Sequence, residues 1–196
     1  MASVKISLTL GSLASVLVVI GCGEREQRSM VGNFGAPEQE ILKGEILRIE
    51  TDLAEEGVFN GKKANRVISY EIRRGGDVRF EQRLRNQGPF SPGDVDVLEE
   101  IRDFHLSQAD YAFVRSKLAL LRPRDLGWGI FVRPNGCQHV LDSPFELSVE
   151  FSRGEKKWAI FQLQYACKSP DAEKARKTLG SVVEHLDETG RSASGK

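Results

Sequence analysis

The sequence lacks a hydrophobic run long enough to cross a bilayer, an excess of either charge, and any familiar catalytic motif, and each shortage removes a class of function. Its longest apolar-rich stretch, Ile6 to Ile20, covers about 15 residues and runs straight into polar Glu24 to Arg28. A spanning helix needs roughly 20 apolar residues, so a permanent transmembrane helix is not expected. Lysine plus arginine and aspartate plus glutamate both number 28. That balance leaves no basic surplus to neutralise phosphates, so nucleic acid is not an expected partner. It also provides no electrostatic pull toward anionic lipid. There is no Gly-x-Ser-x-Gly elbow, no His-Glu-x-x-His pair and no phosphate-binding glycine loop. The three histidines, His105, His139 and His185, stand in separate segments.

What is present begins at the N-terminus. Lys5 supplies a short positive region and Ile6 to Ile20 the apolar core of an export signal. The run ends at Val19-Ile20-Gly21-Cys22, with an aliphatic residue three before the cysteine and a small one directly before it. This segment resembles the lipobox of bacterial lipoproteins, a likeness confined to residues 1–22. The resemblance implies cleavage after Gly21, a diacylglyceryl thioether on Cys22 and acylation of the freed amine. Several acyl chains together give stable anchoring where one would be marginal. Gly23 in place of Asp after the anchor implies, by the sorting pattern of such proteins, an outer-membrane lipid anchor facing the periplasm.

The roughly 175 residues that remain suit one domain with a real core. With Cys22 assigned to lipid, Cys137 and Cys167 are left, and an exported chain meets an oxidising compartment, so they are expected to form a disulfide. A rival use of Cys137 with His139 and Asp142 as metal ligands lacks the paired spacing of a zinc site. The expected organisation is a signal peptide over 1–21, a lipid-anchored flexible tether over 22–44, a single α+β domain over 45–188 and a disordered tail over 189–196.

Within the domain the side-chain period predicts strands over 45–53, 67–73, 78–84, 130–132, 145–151 and 157–165, paired largely as hairpins. Three-residue turns are expected at Gly75-Gly76-Asp77, aligning Ile72 with Phe80, and at Arg153-Gly154-Glu155, aligning Val149 with Ala159. That second register puts Cys167 across from Leu141, so the disulfide would close the open end of the hairpin. Gln87 to Asp96 reads as a surface loop, with Glu99 and Glu100 facing water. Ser107 caps a helix running to about Leu121, and Ser169 with Pro170 opens a second that stops before Gly190. The fold class is therefore α+β, a mainly antiparallel sheet built from hairpins with two helices packed on it.

His139 and Asp142 beside Ser143 are too close in sequence to make a triad, whose members usually come from different elements. Tyr111 and Phe113 read as core, and Trp128 between two glycines as a turn or sheet-edge filler. No catalytic, cofactor-binding or metal residues are assigned. The expectation is a lipid-anchored envelope protein held to a membrane through Cys22, with a non-catalytic binding or structural role and an envelope protein as its possible partner. An inhibitor or immunity lipoprotein acting through the 87–96 loop, and a small periplasmic hydrolase, are the alternatives.

Overall fold

The computed structural model describes residues 29–31, 45–59, 62–86, 96–124, 126, 130–137, 145–154 and 157–195. In chain order the elements are β1 (Ser29–Val31), β2 (Ile46–Phe59), β3 (Lys62–Ile72), β4 (Asp77–Asn86), β5 (Val97–His105), α1 (Gln108–Ala119), β6 (Ile130–Arg133), β7 (Phe145–Arg153), β8 (Lys157–Gln164) and α2 (Pro170–Ala193). The strands form one sheet in the order β1-β6-β8-β7-β2-β3-β4-β5. All neighbours are antiparallel except β1 with β6 and β6 with β8.

Strand alternation gives the sheet one apolar face. Leu47 and Ile49 of β2, Tyr70 and Ile72 of β3, Val78 and Phe80 of β4, Val149 and Phe151 of β7 and Phe161 and Leu163 of β8 are all buried on it. Val114 and Leu118 of α1, with Ala175, Leu179, Val182 and Leu186 of α2, close over them as a single core. The protein is an α+β fold, a mainly antiparallel sheet of hairpins with both helices on one face. Ser107 and Ser169 cap the helices as their sequence predicts, their hydroxyls accepting from Asp110 N and Ala172 N at 3.2 Å each.

Both hairpins keep the predicted apolar face and the three-residue loop, but each loop lies one position away from expectation. The first spans 74–76, with Arg73 N donating to Asp77 O at 2.8 Å, and Ile72 faces Val78 while Tyr70 faces Phe80. The second spans 154–156, so Val149 faces Phe161 and Phe151 faces Ala159. The physical reason is the same in both. The expected registers would set Val78 opposite Arg74 and Phe151 opposite Lys157, whereas the observed ones bury both apolar side chains against apolar partners.

Four further features depart from the sequence reading. Ser29–Val31, inside the expected tether, pairs with β6 as the outermost strand. Residues 97–105 form an edge strand, β5, whose period is broken by a bulge opposite Gln82 and Arg83. The disulfide joins Cys137 to Cys167 as expected, with Cα atoms 5.4 Å apart, and differs only in its place in the fold. It staples the ends of the parallel neighbours β6 and β8, since both cysteines leave those strands at the same end. Finally, α2 continues through Gly190 to Ala193, five residues into the expected tail that begins at 189. Gly190 is there because Phe104 is in the way: a Cβ at this position would sit 2.9 Å from the Phe104 ring.

Candidate functional site

Helix α2 lies on the apolar face, and between it and β3, β4 and β5 runs a groove of about 840 Å³ whose deepest members, Tyr70 and Phe80, are themselves buried. Ile68, Tyr70 and Phe80 floor it, and Val183 of α2 forms an apolar wall. Burial pushes the Tyr70 hydroxyl well above the ordinary tyrosine range, so it stays neutral. Arg102 of β5 lies in the groove with its guanidinium 4.0 Å above the Phe80 ring, bridging Glu100 at 3.0 Å and Asp187 of α2 at 3.4 Å. The cation is thus held over an aromatic face while its edge meets two carboxylates. Arg66 reaches Glu99 at 3.2 Å, and Gln82 donates to the same carboxylate at 2.9 Å. Arg191 pairs with Asp187. The groove therefore has an apolar floor between rims of both charge signs, the composition of a protein-binding surface more than of a site for one small anion.

Among the described residues no helix covers the opposite face of the sheet, which carries a different pattern. One cross-strand row reads Glu150, Arg48, Glu71, Arg79, Asp103, alternating in sign from β7 to β5. Beside it Arg79 contacts Glu81 at 2.8 Å and Arg83 pairs with the same carboxylate, which holds the Glu81 carboxyl below its usual range, the Arg79 hydrogen bond first. A shallow depression of about 200 Å³ lies among these groups. Charges alternating in sign across strands, with ion pairs along β4, solvate a sheet face and defend it against stacking.

The titratable groups named from sequence fall into separate places. His105 of β5 meets Asp77 at 2.8 Å on the exposed hairpin end. His185 of α2 meets Asp110 of α1 at 2.9 Å, and the Ser107 hydroxyl donates to the other oxygen of Asp110 at 2.5 Å. Asp110 stands between serine and histidine, so His185 has no contact through which to take the serine proton, and the group ties the two helices together instead. Ser107 first, then His185, holds the Asp110 carboxyl below the ordinary range. Tyr111 and Phe113 pack partly buried against the core, with Phe113 also 4.7 Å from the His185 ring.

The sulfur of Cys137 is taken by Cys167, which removes it from the metal-ligand set with His139 and Asp142. Among the described residues no group of three or more His, Cys, Asp or Glu is placed to hold a metal ion. Cys22, Trp128, His139, Asp142, Ser143 and the loop over 87–95 lie outside the described residues. Among the described residues no helix is long and apolar enough to cross a membrane.

Sequence reasoning missed two buried charges. Glu45, directly before β2, is fully enclosed and accepts from Arg122 Nη2 at 2.7 Å, Arg122 Nε at 3.1 Å and Arg153 Nη2 at 2.9 Å. This cluster locks the segment after α1 to the ends of β2 and β7. The only sequence signal for it is a charged residue, Glu45, in phase with apolar Leu47 and Ile49.

Comparison of the chain with protein-family models, with curated proteins and with solved structures gives no match.

Proposed function

We propose that this chain is a bacterial envelope protein held to the membrane by lipid on Cys22, and that its domain is a non-catalytic module that binds another envelope protein. The observation that carries the anchoring is the apolar run ending in Val19-Ile20-Gly21-Cys22, followed by a domain closed by the Cys137–Cys167 disulfide, a bond suited to an exported protein. The groove beside α2 supports the binding role. Its partly exposed Ile68 and Val183 offer apolar area to desolvate, and its paired rim charges offer orientation, as protein interfaces require.

Intact mass spectrometry of the chain expressed in a bacterial host, under non-reducing conditions, tests the anchor. The expected mass is residues 22–196 plus acyl groups, less two hydrogens for the disulfide, and Cys22→Ala is expected to abolish the acylated species. An unacylated mass indifferent to Cys22→Ala would overturn the reading. For the binding role, a photo-crosslinker placed at Val183 is expected to give a discrete adduct in the native envelope that Arg102→Glu suppresses. An adduct pattern unchanged by Arg102→Glu would remove the groove from consideration.

A further inference from the structure

The place where the chain joins the sheet limits how the domain can stand on a membrane. β1 runs parallel to β6 with Ser29 beside Phe131, and Ser29 is seven residues beyond Cys22. Even fully extended, seven residues reach only about 25 Å, and a flexible segment of that length averages roughly 15 Å. An anchor on Cys22 therefore keeps the β1 edge close to the bilayer. Strands lie about 4.8 Å apart, so β8 is within about 10 Å of that edge while β5 is roughly 34 Å from it.

The uncovered face of the sheet changes character near this edge. Ala159 and Phe161 of β8 point into the core, so Trp158 and Ile160 face the other way, and Ile160 is paired with Phe131 of β6. Trp158 and Phe131 meet edge to face with centroids 5.7 Å apart. On the same face Ile46 of β2, paired with Ser152 across from Trp158, is 40% exposed. Arg133, two residues beyond Phe131 along β6, has a buried Nε with no hydrogen-bond partner among the described residues. The charged ladder that runs from β5 to Glu150 of β7 thus gives way, beside the anchored edge, to Ile160, Trp158 and Phe131, with Arg133 next to them and no carboxylate paired to it among the described residues.

We infer that the Phe131, Trp158, Ile160 and Arg133 surface rests on the lipid headgroups of the anchoring membrane and sets the orientation of the domain. The inference rests on the lipid anchor proposed above. Tryptophan favours the headgroup region of a bilayer, where its amphipathic ring sits between lipid and water. An arginine beside the headgroups suits a lipid phosphate, which accepts from its terminal N–H groups. Aliphatic Ile160 and Ile46 lose water at the same boundary. The α2 groove then looks away from the bilayer edge, with β5 outermost.

The test uses the lipidated chain in phosphatidylethanolamine and phosphatidylglycerol vesicles containing brominated phosphatidylcholine, with acylation first verified by intact mass. In Trp128→Phe the remaining tryptophan is Trp158, and it is expected to lose most of its emission to the brominated lipid. A control carrying Trp128→Phe, Trp158→Phe and Ile101→Trp reports from β5 and is expected to keep its emission. Equal emission from the two would overturn the orientation. Because these variants change aromatic residues, the unsubstituted chain is also labelled by a diazirine dissolved in the bilayer. Label in peptides covering 130–133 and 157–164, and not 97–105, is expected, and the reverse distribution refutes the inference. A chain without acyl groups overturns anchor and orientation together, while acylated protein with unquenched Trp158 overturns the orientation alone.

Discussion

Replacing Glu45 by glutamine leaves its shape nearly unchanged and removes one charge from a site with almost no water. Arg122, only 5% exposed in its side chain, then keeps a positive charge with no carboxylate, and its Nη1 bond to Pro123 O at 3.0 Å is the polar contact that survives intact. Removing one partner of a buried ion pair costs about 3 to 5 kcal/mol, mostly the desolvation of the charge left behind. The amide oxygen can still accept one bond, so Glu45→Gln is expected at the lower end, about 3 kcal/mol. For a domain of this size that lowers Tm by roughly 6 to 12 °C. Arg153 reaches the same carboxylate from a side chain 44% exposed, and solvent screens its share. Arg153→Met is expected to cost about 1 kcal/mol or less. The double variant Glu45→Leu with Arg122→Met removes both buried charges and is expected to recover most of the loss. Urea denaturation followed by circular dichroism, with the disulfide intact, measures all four proteins. If Glu45→Gln costs less than Arg153→Met, or if the double variant is no better than the single one, the reasoning from desolvation is wrong.

Other outcomes follow from contacts described above. Gly190→Ala is expected to destabilise by roughly 1 to 2 kcal/mol because its Cβ meets Phe104 at 2.9 Å, whereas Gly180→Ala, with nothing within 4 Å, is expected to stabilise by about 0.5 to 1 kcal/mol; thermal unfolding of the pair separates helix propensity from packing. Replacing Cys137 and Cys167 together by alanine opens a loop with sequence separation 30 and is expected to cost roughly 3 to 4 kcal/mol, read as a shift in the denaturant midpoint. Asp110 binds its proton more weakly folded than unfolded, so its contribution to stability is present above the ordinary aspartate range and lost as pH falls through the lowered folded value. Ser107→Ala, which removes the largest cause of that shift, is expected to move the Asp110 titration upward in carboxyl-detected NMR and to flatten the acid limb of the stability curve.

The elements legible in the sequence were those with an unbroken period. Phe145, Leu147, Val149 and Phe151 alternate without interruption, and β7 lies where they indicate. Ser107 and Ser169 fix both helix starts because a cap is a local chemical event. β5 was illegible because its bulge spaces Leu98 and Ile101 by three, matching neither face of a regular strand. β1 is three residues whose only support is a neighbour about a hundred positions away, and no local pattern encodes such a pairing. The overrun of α2 past Gly190 has the same origin, since the sequence presents a helix-ending glycine and only the fold supplies the Phe104 ring that requires it. The groove was illegible altogether, as its lining comes from one helix and three strands far apart in sequence.

Strand order also imposes a schedule on the folding chain. β2, β3, β4 and β5 each pair with a sequence neighbour and can zip up as a meander as soon as they emerge. The other edge of β2 must wait for β7, with Ile49 facing Val149 across a hundred residues. During that interval Leu47 and Ile49 lie uncovered beside open backbone groups, a template for pairing with another molecule. For a chain that emerges N-terminus first, this half-sheet is the part of the sheet whose partners are already present. Its protection in that window rests on how quickly residues 145–164 arrive and on whatever companion shields β2 until they do.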